Sequence, residues 1–75
     1  MIYTAIYERE DDGRYSVYVP DLPGCASWGS TLVEAQERIA EAITGWMETA
    51  RAEGIPIPES RTLAAPVESV VTLLR

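Results

Sequence analysis

The stretch that decides the fold reads Val19-Pro20-Asp21-Leu22-Pro23-Gly24-Cys25. Pro20 and Pro23 each fix a backbone φ angle, remove a hydrogen-bond donor and push the preceding residue toward extended geometry. Gly24 can adopt the positive φ that a tight reversal requires. Asp21, between the two prolines, is expected to cap this turn through its own backbone. Residues 19–25, called the knuckle below, therefore predict the end of a strand followed by a rigid reversal.

A helix is predicted soon after the knuckle. Gly29 is expected to lie in the connecting turn, and Thr31 and Glu34 have the spacing of an N-terminal capping box. Apolar residues then recur at steps of three and four, which is typical of a helix with one buried stripe. They are Ala35, Ile39, Ile43, Trp46, Met47 and Ala50. Gly45 inside the helix indicates a close approach to the sheet or to a neighbouring subunit. Gly54 is the predicted C-terminal cap.

Strands are predicted on both sides of this helix, at residues 1–9, 15–19, 26–29 and 68–74. Asp12-Gly13 is a hairpin signal between the first two strands. Residues 55–66 are expected to form an extended connector that does not pack deeply. The order β-β-β-α-β predicts an α+β domain, with a small antiparallel sheet and one long helix packed on it. Residues 1–75 are expected to form a single domain.

The charge of the chain favours some partners over others. Twelve acids face six bases, every base is arginine, and the net charge is −6. This charge repels phosphate backbones, so direct nucleic-acid binding is not expected, and it suits a basic partner. An acidic surface that only maintains solubility explains the composition equally well. At 75 residues the domain buries little surface, so a homodimer or higher homo-oligomer is expected.

Other sequence features bear on location. A single cysteine fits a reducing cytoplasm and is expected to be a half-buried apolar residue. No apolar run approaches the roughly 20 residues that span a bilayer, and no secretory leader opens the chain. The sequence therefore predicts a cytoplasmic protein that does not enter a membrane.

The sequence contains few of the residue types that enzymes use for catalysis. With no histidine and no lysine, the commonest general bases and Schiff-base chemistry are absent from the sequence. A site of carboxylates and a metal ion needs several acids that converge, and Glu8, Asp21 and Glu41 are the candidates. We expect no enzymatic activity, no metal and no cofactor, with a metal-dependent nuclease as a remote alternative.

Several motifs, in order, resemble the HicB family of antitoxins. They are the first strand Tyr3-Thr4-Ala5-Ile6-Tyr7-Glu8, the second strand at residues 13–19, the Pro-Asp-Leu-Pro-Gly-Cys knuckle, the Glu-Ala pairs at 34–35 and 41–42, and Gly54-Ile55-Pro56-Ile57-Pro58. The resemblance implies a truncated ribonuclease H fold. It also implies a partner, because HicB proteins bind and silence HicA, a small basic toxin that cuts messenger RNA with a histidine. Many HicB proteins carry a C-terminal DNA-binding domain, which is not expected in a chain that ends at Arg75.

The resemblance favours an antitoxin-like protein that occludes the RNA-binding groove of a HicA-type toxin. Acids that could compete with phosphate there are Glu8, Glu10, Asp11, Asp12, Glu37, Glu41 and Glu48. The four at the predicted hairpin are the first choice. The alternative is a self-associating scaffold or regulatory domain, an orphan without a toxin, that uses Tyr3, Tyr7 and Tyr18 to pair with its own copies.

Overall fold

The computed structural model describes residues 2–63, so the strand predicted at 68–74 lies outside the described residues. The elements are β1 (Ile6–Arg9), β2 (Tyr15–Tyr18), β3 (Ala26–Gly29) and α1 (Leu32–Glu53). The strands form an antiparallel sheet in the order β1-β2-β3. The α+β class, the antiparallel sheet and the single long helix predicted from the sequence are confirmed.

The sheet has one face against the helix, called the inner face, and one face turned away from it, called the outer face. Because opposed residues of antiparallel strands point to the same side, the register assigns each residue to a face. Val17 pairs with Tyr7 and Ser27 on the inner face, where α1 packs mainly on β3 and less on β2. The core consists of Val17, Val19, Leu22, Cys25, Ala35 and Ile39.

The knuckle closes through its own main chain. Val19 N donates to Cys25 O at 3.0 Å, Leu22 N to Val19 O at 3.1 Å, and Cys25 N to Leu22 O at 3.0 Å. Gly24 has a φ of 78°, as the sequence predicts. The side chain of Leu22 is buried beneath the reversal at 1% exposure. The knuckle therefore returns the chain to the sheet and contributes to the core.

The helix begins and ends at the predicted caps. Thr31 Oγ1 accepts a hydrogen bond from Glu34 N at 3.1 Å, and Glu34 Oε1 reaches back to accept from Ser30 N at 2.8 Å. Gly54 has a φ of 68°, and its N–H points to the carbonyls of Ala50 and Arg51. These bonds serve backbone groups that the helix itself leaves unpaired at its two ends.

The predicted end of β3 at Gly29 is confirmed, but the turn role given to this glycine was wrong. Gly29 is the buried last residue of β3, not a turn residue. A Cβ built at this position would lie 2.4 Å from Ala35 N and 2.8 Å from the carbonyl carbon of Glu34. Only a residue without a side chain lets the first turn of α1 lie directly on the strand.

The first strand is shorter than predicted, because regular pairing begins at Ile6. Its partner strand β2 ends at Tyr18, directly before the knuckle. Pro20 in the knuckle has no N–H that could donate a hydrogen bond to a neighbouring strand. Tyr3 and Ala5 still pack against the core, whereas Ile2 is 88% exposed.

The connector is irregular and has no buried residue up to Leu63, as predicted, but the expectation for Asp21 was wrong. Asp21 does not cap its own turn, because its carboxylate accepts hydrogen bonds from Arg61 and Thr62. The connector after the helix is consequently attached to the domain, with Ile57 and Pro58 partly buried.

Candidate functional site

The β1–β2 hairpin is built by a short loop with a glycine at its end. Glu10 N donates to Arg14 O at 2.7 Å, and Gly13 N donates to Glu10 O at 3.0 Å. Gly13 has a φ of 89°, which explains why the predicted hairpin signal includes a glycine. Asp11 and Asp12 occupy the tip between these bonds and are exposed.

Asp12 is the carboxylate of the hairpin with the most local partners. Its Oδ1 accepts from Arg14 N at 3.0 Å, and its Oδ2 lies 2.7 Å from Arg14 Nε. The backbone N–H of Arg14, and then its side chain and charge, hold the pKa of the Asp12 carboxyl below its usual range. The Asp12 carboxylate is therefore harder to protonate than an ordinary aspartate.

An open cavity of about 440 Å³ lies beside the hairpin. Its lining consists of Glu10, Asp11, Asp12, Arg14, Tyr15, Ser16 and Trp28. Three of these residues are acids and one is a base. Ser16 Oγ donates to Glu10 Oε1 at 2.8 Å, which directs this carboxylate along the sheet. The cavity thus combines negative charge with one wall formed by an indole.

Trp28 is the residue of this site that the sequence prediction missed. It pairs with Ser16 on the outer face, and its side chain is 47% exposed. The guanidinium carbon of Arg14 lies 5.2 Å from the ring centroid, and that of Arg38 lies 6.0 Å from it. The alternation of β3 places Trp28 and Gly29 on opposite faces, but the register of the sheet was needed to show which face is the outer one.

The other predicted partner-binding acids are exposed but are not part of this cavity. Glu8 lies on the outer face opposite Ser16. Glu37, Glu41 and Glu48 lie on the exposed part of α1 and do not line the cavity. The structure therefore separates the seven acids into three that line the cavity, three on the helix, and Glu8 in β1.

The structure does not bring together the acids considered for a metal site. Within residues 2–63, no group of three or more His, Cys, Asp and Glu side chains is placed to hold a metal ion. Glu8, Asp21 and Glu41 therefore do not converge, and the geometry gives no support to the nuclease alternative. In the same part of the chain, no helix has the length and apolar character to cross a membrane.

A second cavity, of about 480 Å³, lies between the knuckle and the middle of α1. Trp46 lines it and packs against the core. Its Nε1 also donates a hydrogen bond to Pro23 O in the knuckle at 3.0 Å. Gly45 also lines it, and a Cβ there would meet nothing within 4 Å, so of the two reasons considered for this glycine the structure excludes a close approach to the sheet. Cys25 is buried at the edge of this cavity, and burial raises the pKa of its thiol.

The tyrosines considered for self-association have different positions. Tyr3 and Tyr7 are partly buried and pack against the core, so they offer less surface to another copy than Tyr18 does. Tyr18 is 48% exposed on the outer face, beside Ile6 and Ala26 in the register. Of the three, Tyr18 alone is presented to a partner.

Residues 3–70 match the family described as HicB-like antitoxin of bacterial toxin–antitoxin systems. The chain belongs to this family. The crystal structure of the N-terminal domain of the Burkholderia pseudomallei antitoxin HicB superimposes with a TM-score of 0.63 at 34% identity, over 89% of this chain and 75% of that one. The HicB-like fold predicted from the knuckle and helix motifs is thereby confirmed.

Relatives of similar size are found in a cyanobacterium and an archaeon. A UPF0150 protein of Synechocystis is 39% identical over 69 residues, covering 92% of this chain and 87% of that protein. A UPF0150 protein of Thermoplasma acidophilum is 43% identical over 58 residues, covering 77% and 84%. A 14.9 kDa protein of Haemophilus phage HP1 is 38% identical over 71 residues, but the match spans 50% of its length.

Proposed function

We propose that this HicB-like chain is a non-enzymatic antitoxin that binds a small basic HicA-type toxin in the cytoplasm and blocks its cleavage of messenger RNA. The observation that carries the proposal is the cavity where Glu10, Asp11 and Asp12 lie beside the exposed ring of Trp28. Membership in an antitoxin family supports a role in a toxin–antitoxin system. The net charge of −6 supports a basic partner.

The cavity suits a basic side chain of the partner. A lysine or arginine placed there would approach carboxylates and also lie over an aromatic ring, which attracts cations through its quadrupole. Arg14 already lies over Trp28 with its guanidinium carbon 5.2 Å from the ring centroid, so a cation of the partner would take the place of this side chain. A toxin residue that normally contacts RNA phosphate would be neutralised by the hairpin, so bound antitoxin and bound RNA would exclude one another.

The proposal predicts a gene for a small basic, histidine-containing protein next to the gene for this chain, and the first test uses that protein. We expect the two proteins to co-purify in fixed stoichiometry, and we expect the complex to lack the RNA-cleaving activity of the free toxin. Cleavage that continues unchanged in a saturating excess of this chain would contradict the proposal.

The second test locates the binding surface with two matched variants. Trp28→Ala removes the wall of the cavity, whereas Tyr18→Ala removes a side chain of similar exposure on the same face that does not line it. We expect Trp28→Ala to weaken toxin binding about tenfold or more and Tyr18→Ala to have a much smaller effect. An equal or larger loss for Tyr18→Ala would move the interface away from the hairpin cavity.

Self-association is the second function that a specific observation favours. Tyr18, Ile6 and Ala26 form an apolar strip on the outer face, and Tyr18 is about half exposed at 48%. We propose that this strip pairs two copies of the chain, with or without a toxin. Sedimentation equilibrium would show a homodimer that Tyr18→Glu dissociates. A wild-type chain that stays monomeric at its highest soluble concentration would contradict this second proposal.

A further inference from the structure

The segment after the helix, residues 55–63, is held against the domain by side chains from distant parts of the sequence. We call this segment the strap. Thr4 Oγ1 donates to Thr62 O at 2.7 Å, and the Tyr3 hydroxyl donates to Pro58 O. Both donors come from the extended chain that leads into β1. The strap is therefore fixed to the N-terminal segment at two points.

Asp21 provides a third and denser point of attachment. Its Oδ2 accepts from Arg61 N at 2.8 Å and from Thr62 N at 2.9 Å, while its Oδ1 accepts from Thr62 Oγ1 at 3.0 Å. Two of these donors are main-chain N–H groups in a segment that has no regular secondary structure. A carboxylate satisfies such groups with charge-assisted bonds that are stronger than neutral ones.

The knuckle itself does not use the Asp21 carboxylate. Its reversal is closed by main-chain bonds among Val19, Leu22 and Cys25. In the part of the chain that the structure describes, every hydrogen bond of the Asp21 side chain goes to the strap. The side chain between the two prolines is thus held by a rigid support and directed at a segment 40 residues further on.

We propose that Asp21 is a latch that fixes the strap to the knuckle. The rigid prolines hold the carboxylate in position, and the paired N–H groups of the strap dock on it. Loss of the latch frees the strap locally and leaves the sheet and helix in place. This role is independent of toxin binding.

The hydrogen bonds between the Asp21 carboxylate and the strap depend on pH. The backbone N–H groups of Thr62 and then Arg61 hold the pKa of the Asp21 carboxyl below its usual range. The positive charge of Arg61 lowers this pKa further. Because the folded pKa is lowered, the latch is complete above the ordinary pKa of 3.8 and is lost as the pH falls through the lowered value.

Amide hydrogen exchange followed by NMR tests the latch in the full chain. Asp21→Asn is the test variant, and Asp11→Asn at the exposed hairpin tip is the matched control for the loss of one charge. We expect the amides of Arg61 and Thr62 to exchange about tenfold faster or more in Asp21→Asn only, with no comparable change at Ile39 in the core. Unchanged exchange at the two strap amides would overturn the proposal. An equal acceleration at Ile39 would also overturn it, because that pattern indicates global destabilisation.

A titration of the wild-type chain supplies a second readout that requires no substitution. The amide proton shifts of Arg61 and Thr62 should move together, with a midpoint below the ordinary aspartate pKa of 3.8. The same transition should appear at the carboxyl carbon of Asp21. Strap amides that do not follow this carboxyl group would contradict the latch.

Discussion

The inner face of the sheet is closed by contact between backbones, whereas the outer face carries large side chains that remain about half exposed. On the inner face, Gly29 lets the first turn of α1 approach so closely that a Cβ would lie 2.4 Å from Ala35 N. On the outer face, Trp28, which is adjacent to Gly29 in the strand, is 47% exposed, and Tyr18 is 48% exposed. Neighbouring residues of one short strand thus have opposite roles.

This difference separates the residues that specify the fold from those available to a partner. The inner face tolerates little change, because protein interiors are close-packed and α1 lies directly on β3. The outer face and the hairpin can change in charge or size without disturbing the core. A substitution should therefore affect stability or binding according to the face on which it lies.

The largest expected effect comes from Gly29→Ala on the inner face. The added methyl meets backbone atoms of the first helical turn, which cannot move aside as a flexible side chain could, so we expect a loss of about 3 kcal/mol in the free energy of unfolding. Gly45→Ala is the matched control, because its Cβ meets nothing within 4 Å. It should stabilise the helix by about 0.5–1 kcal/mol. Denaturant unfolding measures the free energy of unfolding of both variants. Equal values would contradict the close approach of α1 to Gly29.

Gly24→Val tests the reversal in the knuckle, where space is open and only the backbone angle matters. A β-branched residue at a φ of 78° is strained, and we expect a loss of about 1–3 kcal/mol. Gly24→Asn should cost less, since asparagine tolerates this conformation better. A Gly24→Val variant with an unchanged melting temperature would show that the positive φ is not required.

Thr31→Ala removes the N-terminal cap of α1. In the wild-type chain the Thr31 hydroxyl accepts a hydrogen bond from Glu34 N at 3.1 Å. Its loss should lower the free energy of unfolding by about 1 kcal/mol. Thr31→Ser keeps the acceptor and should be close to the wild type in the same thermal unfolding assay. Equal losses for both variants would assign the effect to packing of the threonine methyl and not to the cap.

The smallest effect concerns the hairpin at low pH. The pKa of the Asp12 carboxyl lies below its usual range of about 3.8, so its bonds to Arg14 are present above this value and are lost as the pH falls through the lowered pKa. An NMR titration of the Asp12 carboxyl carbon measures this directly. Arg14→Gln should raise the midpoint only in part, because the backbone N–H of residue 14 remains. A midpoint at or above the ordinary value in the wild type would contradict the observed loop geometry.

The local signals of the sequence predicted most of the inner face. The caps at Thr31 and Gly54, the buried stripe of α1 and the positive φ of Gly24 all depend on residues close to one another in the chain. Such signals can be interpreted without knowing the rest of the fold. They were sufficient to give the α+β class and the family resemblance.

What could not be predicted depends on contacts between distant segments. The latch at Asp21 joins residues 40 positions apart, and nothing in the local turn chemistry indicates where its carboxylate is directed. The close approach at Gly29 depends on how the helix lies on β3. The hairpin acids were identified, but the indole of Trp28 that completes the cavity required the register of three strands.

The central claim is that the hairpin cavity binds a basic toxin. It is tested most directly by making the same change in charge at two different places on the surface. Asp11→Arg with Asp12→Arg alters the hairpin, and Glu37→Arg with Glu41→Arg alters the exposed face of the helix by the same net charge. Association rates and affinities for the HicA-type toxin would be measured for both at low and at physiological salt. We predict that the hairpin pair lowers both strongly while the helix pair stays close to the wild type. Equal losses for the two pairs, or a larger loss for the helix pair, would contradict the claim.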